Sequence, residues 1–167
     1  MDKDQTLMYY AEICFLRAEG ALRGWEMGGS ARSFYEEGIR ASMKTVEISD
    51  DVINQYLQSD MPNLYGTSVL FTDTEGENNS QLAKIITQKY LSGFPDNSWE
   101  AWADYRRLSL PTLDPFAMPE PGYVIEKGAM GWKGSLRRII YPAQEVIVNE
   151  ANYKEASARI GGDKTTT

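Results

Sequence analysis

The sequence contains no histidine and a single cysteine, Cys14, among its 167 residues. Without histidine the chain cannot form a Ser-His-Asp or Cys-His catalytic set, or a histidine metal site. One cysteine can form neither an internal disulfide nor a cysteine cluster for a metal. Because Cys14 lies in an apolar helical run, we predict a buried thiol that acts as a small hydrophobic side chain.

An excess of positive charge and long apolar segments are also missing. The formal net charge is −7, which argues against nucleic-acid binding because phosphate contacts need a basic surface. No stretch approaches the roughly 20 apolar residues of a membrane-spanning helix. Residues 1–4 lack the basic and then apolar start of a secretory signal.

The sequence contains few of the residue patterns that enzymes need. It has no glycine-rich phosphate loop, nucleophile elbow or metal triad, so we expect no cofactor and assign no metal-binding residues. Glu100 and Asp104 could in principle serve as the paired acids of a glycoside hydrolase. At i, i+4 on one short helix they face nearby arginines, which favours salt bridges over a general-acid role. We therefore predict a protein that is not an enzyme.

Apolar residues recur at helical spacing in several segments, which predicts a mainly α-helical fold. In the first helix, Glu12 and Glu19 fall mostly outside the apolar face. The expected helices cover about residues 7–21, 31–46 after an N-cap at Ser30, 50–58, 81–92 and 150–160. Gly93 is expected to end the fourth of these in a left-handed conformation. Residues 59–80 and 110–136 contain the turn-forming residues of long loops.

The first two predicted helices form an αα-hairpin across Gly28 and Gly29. Ala31, Tyr35 and Gly38 are spaced as in the second helix of a tetratricopeptide unit, where small residues flank an aromatic one. Such units normally stack in sets of at least three. One visible unit therefore suggests that further helices precede it in a longer protein.

Residues 98–107 combine two tryptophans with an arginine pair. Trp99, Trp102 and Arg106 recur at i, i+3 and i+7, so a helix places them along one face. We predict a buried cluster, with Trp102 largely buried and one arginine paired to an acid or a carbonyl. We assign seven residues to this structural cluster: Trp99, Trp102, Asp104, Arg106, Arg107, Arg137 and Arg138.

Three segments, in this order, resemble signatures of the SusD/RagB family of outer-membrane nutrient-binding lipoproteins. The first runs from Tyr10-Ala-Glu12 through Ala18-Glu19 to Ala21-Leu-Arg-Gly-Trp25. The second is Trp99-Glu-Ala-Trp-Ala-Asp-Tyr-Arg-Arg107 followed by Leu110-Pro111. The third is Arg137-Arg-Ile-Ile-Tyr-Pro142, then Glu145, Asn149 and Asn152-Tyr153.

This resemblance implies tetratricopeptide-like helix pairs with long ordered loops, part of a SusD-like α-superhelix. Residues 1–167 would form one C-terminal domain, without the upstream helices and lipoprotein signal that family members carry. The implied function is capture of an oligosaccharide or another oligomeric nutrient at the cell surface. The nutrient would pass to a TonB-dependent, SusC-like transporter, with attachment to the outer membrane through a lipid anchor outside this segment.

Sugar recognition needs exposed flat rings, because the apolar C–H faces of sugars stack on them. Tyr65, Tyr123 and Trp132 lie in predicted loops, so we predict that they contact the ligand. We expect Trp25, in contrast, to pack against the helices. A helical-repeat adaptor that binds a protein and no sugar remains the alternative, although one repeat unit gives no concave groove.

Overall fold

The computed structural model describes residues 7–72, 76–112 and 141–162. All of the regular secondary structure in these ranges is helical, which confirms the predicted fold class. None of the helices described there is both long and apolar enough to span a bilayer. The helices are α1 (Tyr10–Leu22), α2 (Ala31–Thr45), α3 (Asp50–Leu57), α4 (Gln81–Gly93), α5 (Ser98–Leu108), α6 (Ala143–Val148) and α7 (Glu150–Arg159), with a 3-10 turn at Glu77–Asn79.

The chain divides into two compact units, Met1–Leu113 and Asp114–Thr167. The first contains α1 to α5, and the second contains α6 and α7. The interpretation of residues 1–167 as one C-terminal domain stays a prediction.

In the first unit, α1 and α2 form the predicted hairpin, and α4 packs against both. Gly38 allows the close approach of α1 and α2, because a Cβ at this position would lie 2.8 Å from ring atoms of the buried Phe15. The α3 helix packs on α2, and α5 packs on α4. The central apolar cluster is formed by Ala11, Phe15, Ala18, Phe34, Tyr35, Ile39, Ile53, Leu57, Val69, Phe71 and Ile85.

The observed ends of the helices agree with the sequence prediction only in part. The Ser30 hydroxyl accepts a hydrogen bond from the Ser33 N–H at 3.1 Å and caps α2 as predicted. The prediction of a left-handed Gly93 is wrong, since Gly93 is the last residue of α4 and does not have a positive φ. Gly93 is instead required by close packing, because a Cβ there would lie 2.9 Å from Cβ of Asn97.

The second unit is described over residues 141–162. There α6 and α7 pack together, and the rings of Tyr141 and Tyr153 meet edge to face at 5.9 Å. The α7 helix begins at Glu150 as expected, whereas α6 was not predicted. No residue in either helix is buried.

Candidate functional site

Five charged side chains link α1, α4 and α5, and we call them the ion cluster: Glu12, Glu19, Lys89, Asp104 and Arg107. The Lys89 ammonium lies 2.8 Å from Oδ2 of Asp104 and 3.7 Å from Oε1 of Glu12. The Arg107 guanidinium donates to both carboxylate oxygens of Glu19, with Nη2 at 2.8 Å from Oε2, and to Oδ1 of Asp104 at 2.8 Å. The ion cluster therefore joins three helices through charge.

Burial explains why these charges are paired. Glu12, Glu19, Lys89 and Asp104 are all buried, and a buried charge is tolerated only with a partner. The hydrogen bonds from Arg107 hold the pKa of Glu19 below its usual value, and Glu19 in turn raises the pKa of Arg107. The expectation that Glu12 and Glu19 lie mostly outside the buried face is wrong.

The two tryptophans of α5 differ in exposure. Trp99 is 78% exposed, so its predicted burial is wrong, whereas most of Trp102 is covered, in keeping with the prediction that this indole is largely buried. Trp99, Trp102 and Arg106 do share one face, which we call the α5 stripe. The indoles meet edge to face at 6.2 Å, and the Arg106 guanidinium lies 4.8 Å from the Trp102 ring centre.

The α5 stripe does not face the core, because α5 packs against the rest of the protein through a different face. Asp104 and Tyr105 are the buried residues of this helix, and Asp104 binds Lys89 of α4. Arg107 pairs with acids, as we expected for one of the two arginines. The other members of the predicted structural cluster, Arg137 and Arg138, lie outside the described residues.

Sequence reasoning missed the role of Lys89. The sequence did contain an indication, because Lys89 follows Ile85 by four residues and Ile86 by three, and so falls on the apolar face of α4. A lysine at such a position must be paired within the protein. Its partner Glu12 is 77 positions away, beyond the reach of helical periodicity.

A second site is the anchored loop, residues 59–72 between α3 and α4. The Leu70 N–H donates to the Ser59 carbonyl at 2.8 Å, and the Asn63 N–H donates to the Thr67 carbonyl at 2.8 Å. These two bonds close an outgoing arm (residues 59–63) onto a return arm (residues 67–72). A tight turn joins the arms, where Gly66 has a φ of +88°, which glycine adopts without strain.

The return arm is fastened to the helical core. The Tyr35 hydroxyl donates to the Val69 carbonyl at 2.7 Å, and burial raises the pKa of this phenol. The Lys84 ammonium donates to the carbonyls of Leu70 at 2.8 Å and Thr72 at 3.0 Å. Tyr35 and Lys84 are both 0% exposed. The core therefore determines the path of the return arm.

Asparagines hold the tip of the anchored loop. Oδ1 of Asn63 accepts the N–H groups of Tyr65 and Thr67, each at 3.0 Å. The Asn78 amide donates to the Tyr65 carbonyl at 3.3 Å. Oδ1 of Asn79 accepts the Ser68 N–H at 2.9 Å. The backbone on either side of Tyr65 is thus held by polar bonds.

The outgoing arm and the turn face solvent. Asp60, Met61 and Asn63 are exposed, Leu64 is 87% exposed, and Tyr65 is half-buried. A preordered loop with apolar and amide groups on its outer side has the properties of a binding surface. The two other predicted ligand contacts, Tyr123 and Trp132, lie outside the described residues.

Two other features bear on function. Trp25, expected to pack, is 63% exposed, although part of its ring covers Gly20. A cavity of about 10 Å³ lies between α4 and α5 beside Glu100 and Asp104. That is about the room needed by one water molecule, so this cavity is far too small for a sugar.

Comparisons with known proteins agree with these observations. A family model described as "Susd and RagB outer membrane lipoprotein" matches residues 1–167. A SusD homolog from Parabacteroides distasonis is 35% identical, with a TM-score of 0.68, over 93% of this chain and 30% of its own. No curated protein matches the sequence.

Two further solved structures give the same result. A chitin-binding SusD homolog from Flavobacterium johnsoniae is 34% identical with a TM-score of 0.66, over 96% of this chain and 35% of its own. A SusD homolog from Bacteroides thetaiotaomicron is 30% identical with a TM-score of 0.68, over 100% of this chain and 38% of its own. The chain spans about a third of the length of these relatives. It belongs to the SusD/RagB family of outer-membrane lipoproteins.

Proposed function

We propose that the protein captures an oligosaccharide at the cell surface and delivers it, chemically unchanged, to a TonB-dependent transporter. The observation that carries this proposal is the anchored loop, which presents Tyr65 and exposed amides on a backbone held by Tyr35 and Lys84. The family supports glycan binding in general, and one relative is a chitin-binding protein. Attachment to the outer surface of the outer membrane through a lipid anchor is part of this proposal.

Preordering is the physical basis of capture. A loop that is already held by hydrogen bonds loses little conformational entropy when a ligand binds. The ring of Tyr65 offers an apolar face for a sugar. The Asn63 amide can donate its N–H groups to hydroxyls, while its oxygen already accepts the N–H groups of Tyr65 and Thr67. We propose Tyr123 and Trp132 as further stacking residues on the basis of their loop positions in the sequence.

Binding without chemistry is consistent with the carboxylates near α5. Asp104 is buried and holds ion pairs with Lys89 and Arg107, so it has no open face toward a glycosidic oxygen. Glu100 borders a cavity that has no room for a sugar ring. These two acids therefore do not form a glycosidase pair.

Calorimetry with a panel of oligosaccharides, including chitin oligomers, tests this proposal. We expect binding by the wild type and about tenfold weaker binding by Tyr65→Ala, because stacking on the ring is lost. Phe94→Ala is the matched control, since Phe94 is an exposed aromatic residue at the opposite end of α4. An absence of binding to every oligosaccharide, or equal losses for both variants, would contradict the proposal.

A protein adaptor is the second candidate, and the α5 stripe favours it. Tryptophan and arginine are the residue types that dominate binding energy at protein interfaces, and here Trp99 and Arg106 are both exposed. The two candidates separate under mutation. An adaptor would lose its protein partner on Trp99→Ala while Tyr65→Ala had no effect, and glycan capture predicts that sugar binding follows Tyr65.

A further inference from the structure

We infer that Asn63 is a positioning residue for glycan capture, and that it acts by holding the turn that presents Tyr65 to the ligand. This inference rests on the proposed function, in which Tyr65 stacks on a sugar, and it names the residue on which the placement of Tyr65 depends. It is carried by the hydrogen bonds that Asn63 makes across the tip of the anchored loop.

Residues 63–66 form a tight turn in which Asn63 has the first position and Tyr65 the third. The Gly66 N–H donates to the Asn63 carbonyl at 3.0 Å, and the Asn63 N–H donates to the Thr67 carbonyl at 2.8 Å. Asparagine is favoured at the first position of such turns, and glycine at the fourth. The local sequence therefore places Tyr65 at the tip of the anchored loop.

The side chain of Asn63 adds two further bonds inside this turn. Its Oδ1 atom accepts the N–H groups of Tyr65 and Thr67, each at 3.0 Å. Asparagine side chains commonly bond to the backbone two residues further along, which stabilises a turn. Thr67 is buried, so its N–H depends on an acceptor within the protein. One oxygen atom therefore holds the backbone both at Tyr65 and just beyond it.

Asn78 also contacts this turn, but less closely. Its amide donates to the Tyr65 carbonyl at 3.3 Å, slightly beyond the usual range of about 2.7–3.2 Å. Asn78 is exposed, so water competes for this bond. Since Oδ1 of Asn63 makes two bonds at 3.0 Å, Asn63 is the stronger of these two side-chain supports.

The positioning role of Asn63 requires an acceptor and not a donor. Aspartate has the same shape as asparagine and its carboxylate accepts N–H groups, whereas alanine has no acceptor. A direct contact in which the Asn63 amide donates to a sugar hydroxyl would be lost in both Asn63→Asp and Asn63→Ala. The two substitutions therefore separate a positioning role from a direct contact.

Calorimetry on the intact chain with chitopentaose, cellopentaose and maltopentaose tests this role. We expect Asn63→Ala to weaken binding about three- to tenfold, no more than Tyr65→Ala does, because Asn63 acts through that residue. Asn63→Asp should bind within about twofold of the wild type, since the acceptor is kept. Asn54→Ala is the matched control and should leave binding unchanged, because Asn54 is an exposed asparagine of α3 whose Oδ1 accepts a bond from Arg40 at 2.7 Å.

A double-mutant cycle adds a readout that a general loss of stability would not change. In the Tyr65→Ala background, Asn63→Ala should weaken the remaining binding by less than about twofold. Hydrogen exchange of the Thr67 N–H should become faster in Asn63→Ala and return toward the wild-type rate in Asn63→Asp. Circular dichroism confirms that each variant is folded.

Each other outcome has a separate meaning. Equal weakening by Asn63→Ala and Asn63→Asp would show a direct contact with the ligand and would overturn the positioning role. Unchanged binding by Asn63→Ala, or fully additive losses for Asn63→Ala and Tyr65→Ala, would overturn it as well. In all three cases a loss on Tyr65→Ala would leave glycan capture in place. No binding to any of the three probes would remove both proposals together.

Discussion

Lys84 and Lys89 lie on the same helix, α4, and both are buried, but they bind different kinds of partner. The Lys84 ammonium contacts backbone carbonyls of the anchored loop. The Lys89 ammonium contacts the carboxylates of Asp104 and Glu12 in the ion cluster. One end of α4 therefore holds a loop through contacts that include backbone carbonyls, and the other end joins helices through opposite charges.

The difference determines how each end responds to its surroundings. A carboxylate can lose its charge in acid, so the ion cluster depends on pH. Backbone carbonyls do not titrate, so the bonds from Lys84 to the carbonyls of Leu70 and Thr72 keep their acceptors across the acid range. The two ends also differ in what a substitution leaves behind, because an unpaired buried charge costs more than an unpaired carbonyl.

The largest effect should come from Lys89→Met. This change leaves the carboxylates of Asp104 and Glu12 buried without their ammonium, and we expect a loss of about 3–5 kcal/mol in the free energy of unfolding. Urea denaturation measures it. The double variant Lys89→Met with Glu12→Gln should recover part of the loss, since it removes the carboxylate whose ion pair Lys89 supplies, whereas Asp104 keeps its pair with Arg107. A loss under about 1 kcal/mol in the single variant would mean that the cluster is solvated.

Lys84→Met should come next, with a loss of about 1–3 kcal/mol, because it leaves the carbonyls of Leu70 and Thr72 without this donor. Hydrogen exchange should show faster exchange of the N–H of Leu70 than in the wild type, with helix α5 unaffected. If exchange instead became faster in α5 than at Leu70, the claim that the two ends of α4 hold separate parts of the structure would be incorrect.

Glu19→Gln should cost about 1–2 kcal/mol at neutral pH, reduced by the partial exposure of Arg107. Arg107 lowers the pKa of Glu19 in the folded state. The stabilisation is therefore fully present above the unfolded carboxyl pKa of about 4.3, and it is lost as pH falls through the lower folded value. Melts from pH 7 to pH 2 should show wild type and variant converging in acid. A constant difference over this range would exclude the ion pair as its source.

The smallest effect is expected for Trp99→Ala. Because this indole is 78% exposed, its removal should change the free energy of unfolding by less than about 0.5 kcal/mol. Trp102→Ala is the comparison, and its half-buried ring under Arg106 should make it the more costly of the two. Similar large losses for both variants would restore the original prediction of a buried pair.

The helical frame could be predicted from local pattern. Ser30 with its following apolar positions indicated α2, and Tyr35 and Gly38 are buried where the tetratricopeptide-like spacing requires them. Burial on α5 could not be predicted in the same way. The i, i+3, i+7 spacing of Trp99, Trp102 and Arg106 correctly placed them on one face, but spacing does not say whether that face meets protein or solvent.

The candidate binding surface was predictable only in outline. Tyr65 was identified from its loop position, and the polar, turn-rich composition of residues 59–80 correctly indicated the loop that the structure describes over residues 59–72. The anchoring bonds from Tyr35 and Lys84 were not foreseen, because they join residues 34 and 14 positions apart along the chain. No periodic pattern reports such a pairing.

The sequence by itself determined the described helices other than α6, their approximate ends and the family, because hydrophobic periodicity, capping residues and short signatures are local properties. Only the tertiary structure decided which charges are buried and which aromatic rings face solvent. Glu19 and Arg107 are 88 positions apart, and the chain must fold before either can neutralise the other. Burial of a polar group depends on such distant partners, and so it emerges with the packing of α1, α4 and α5.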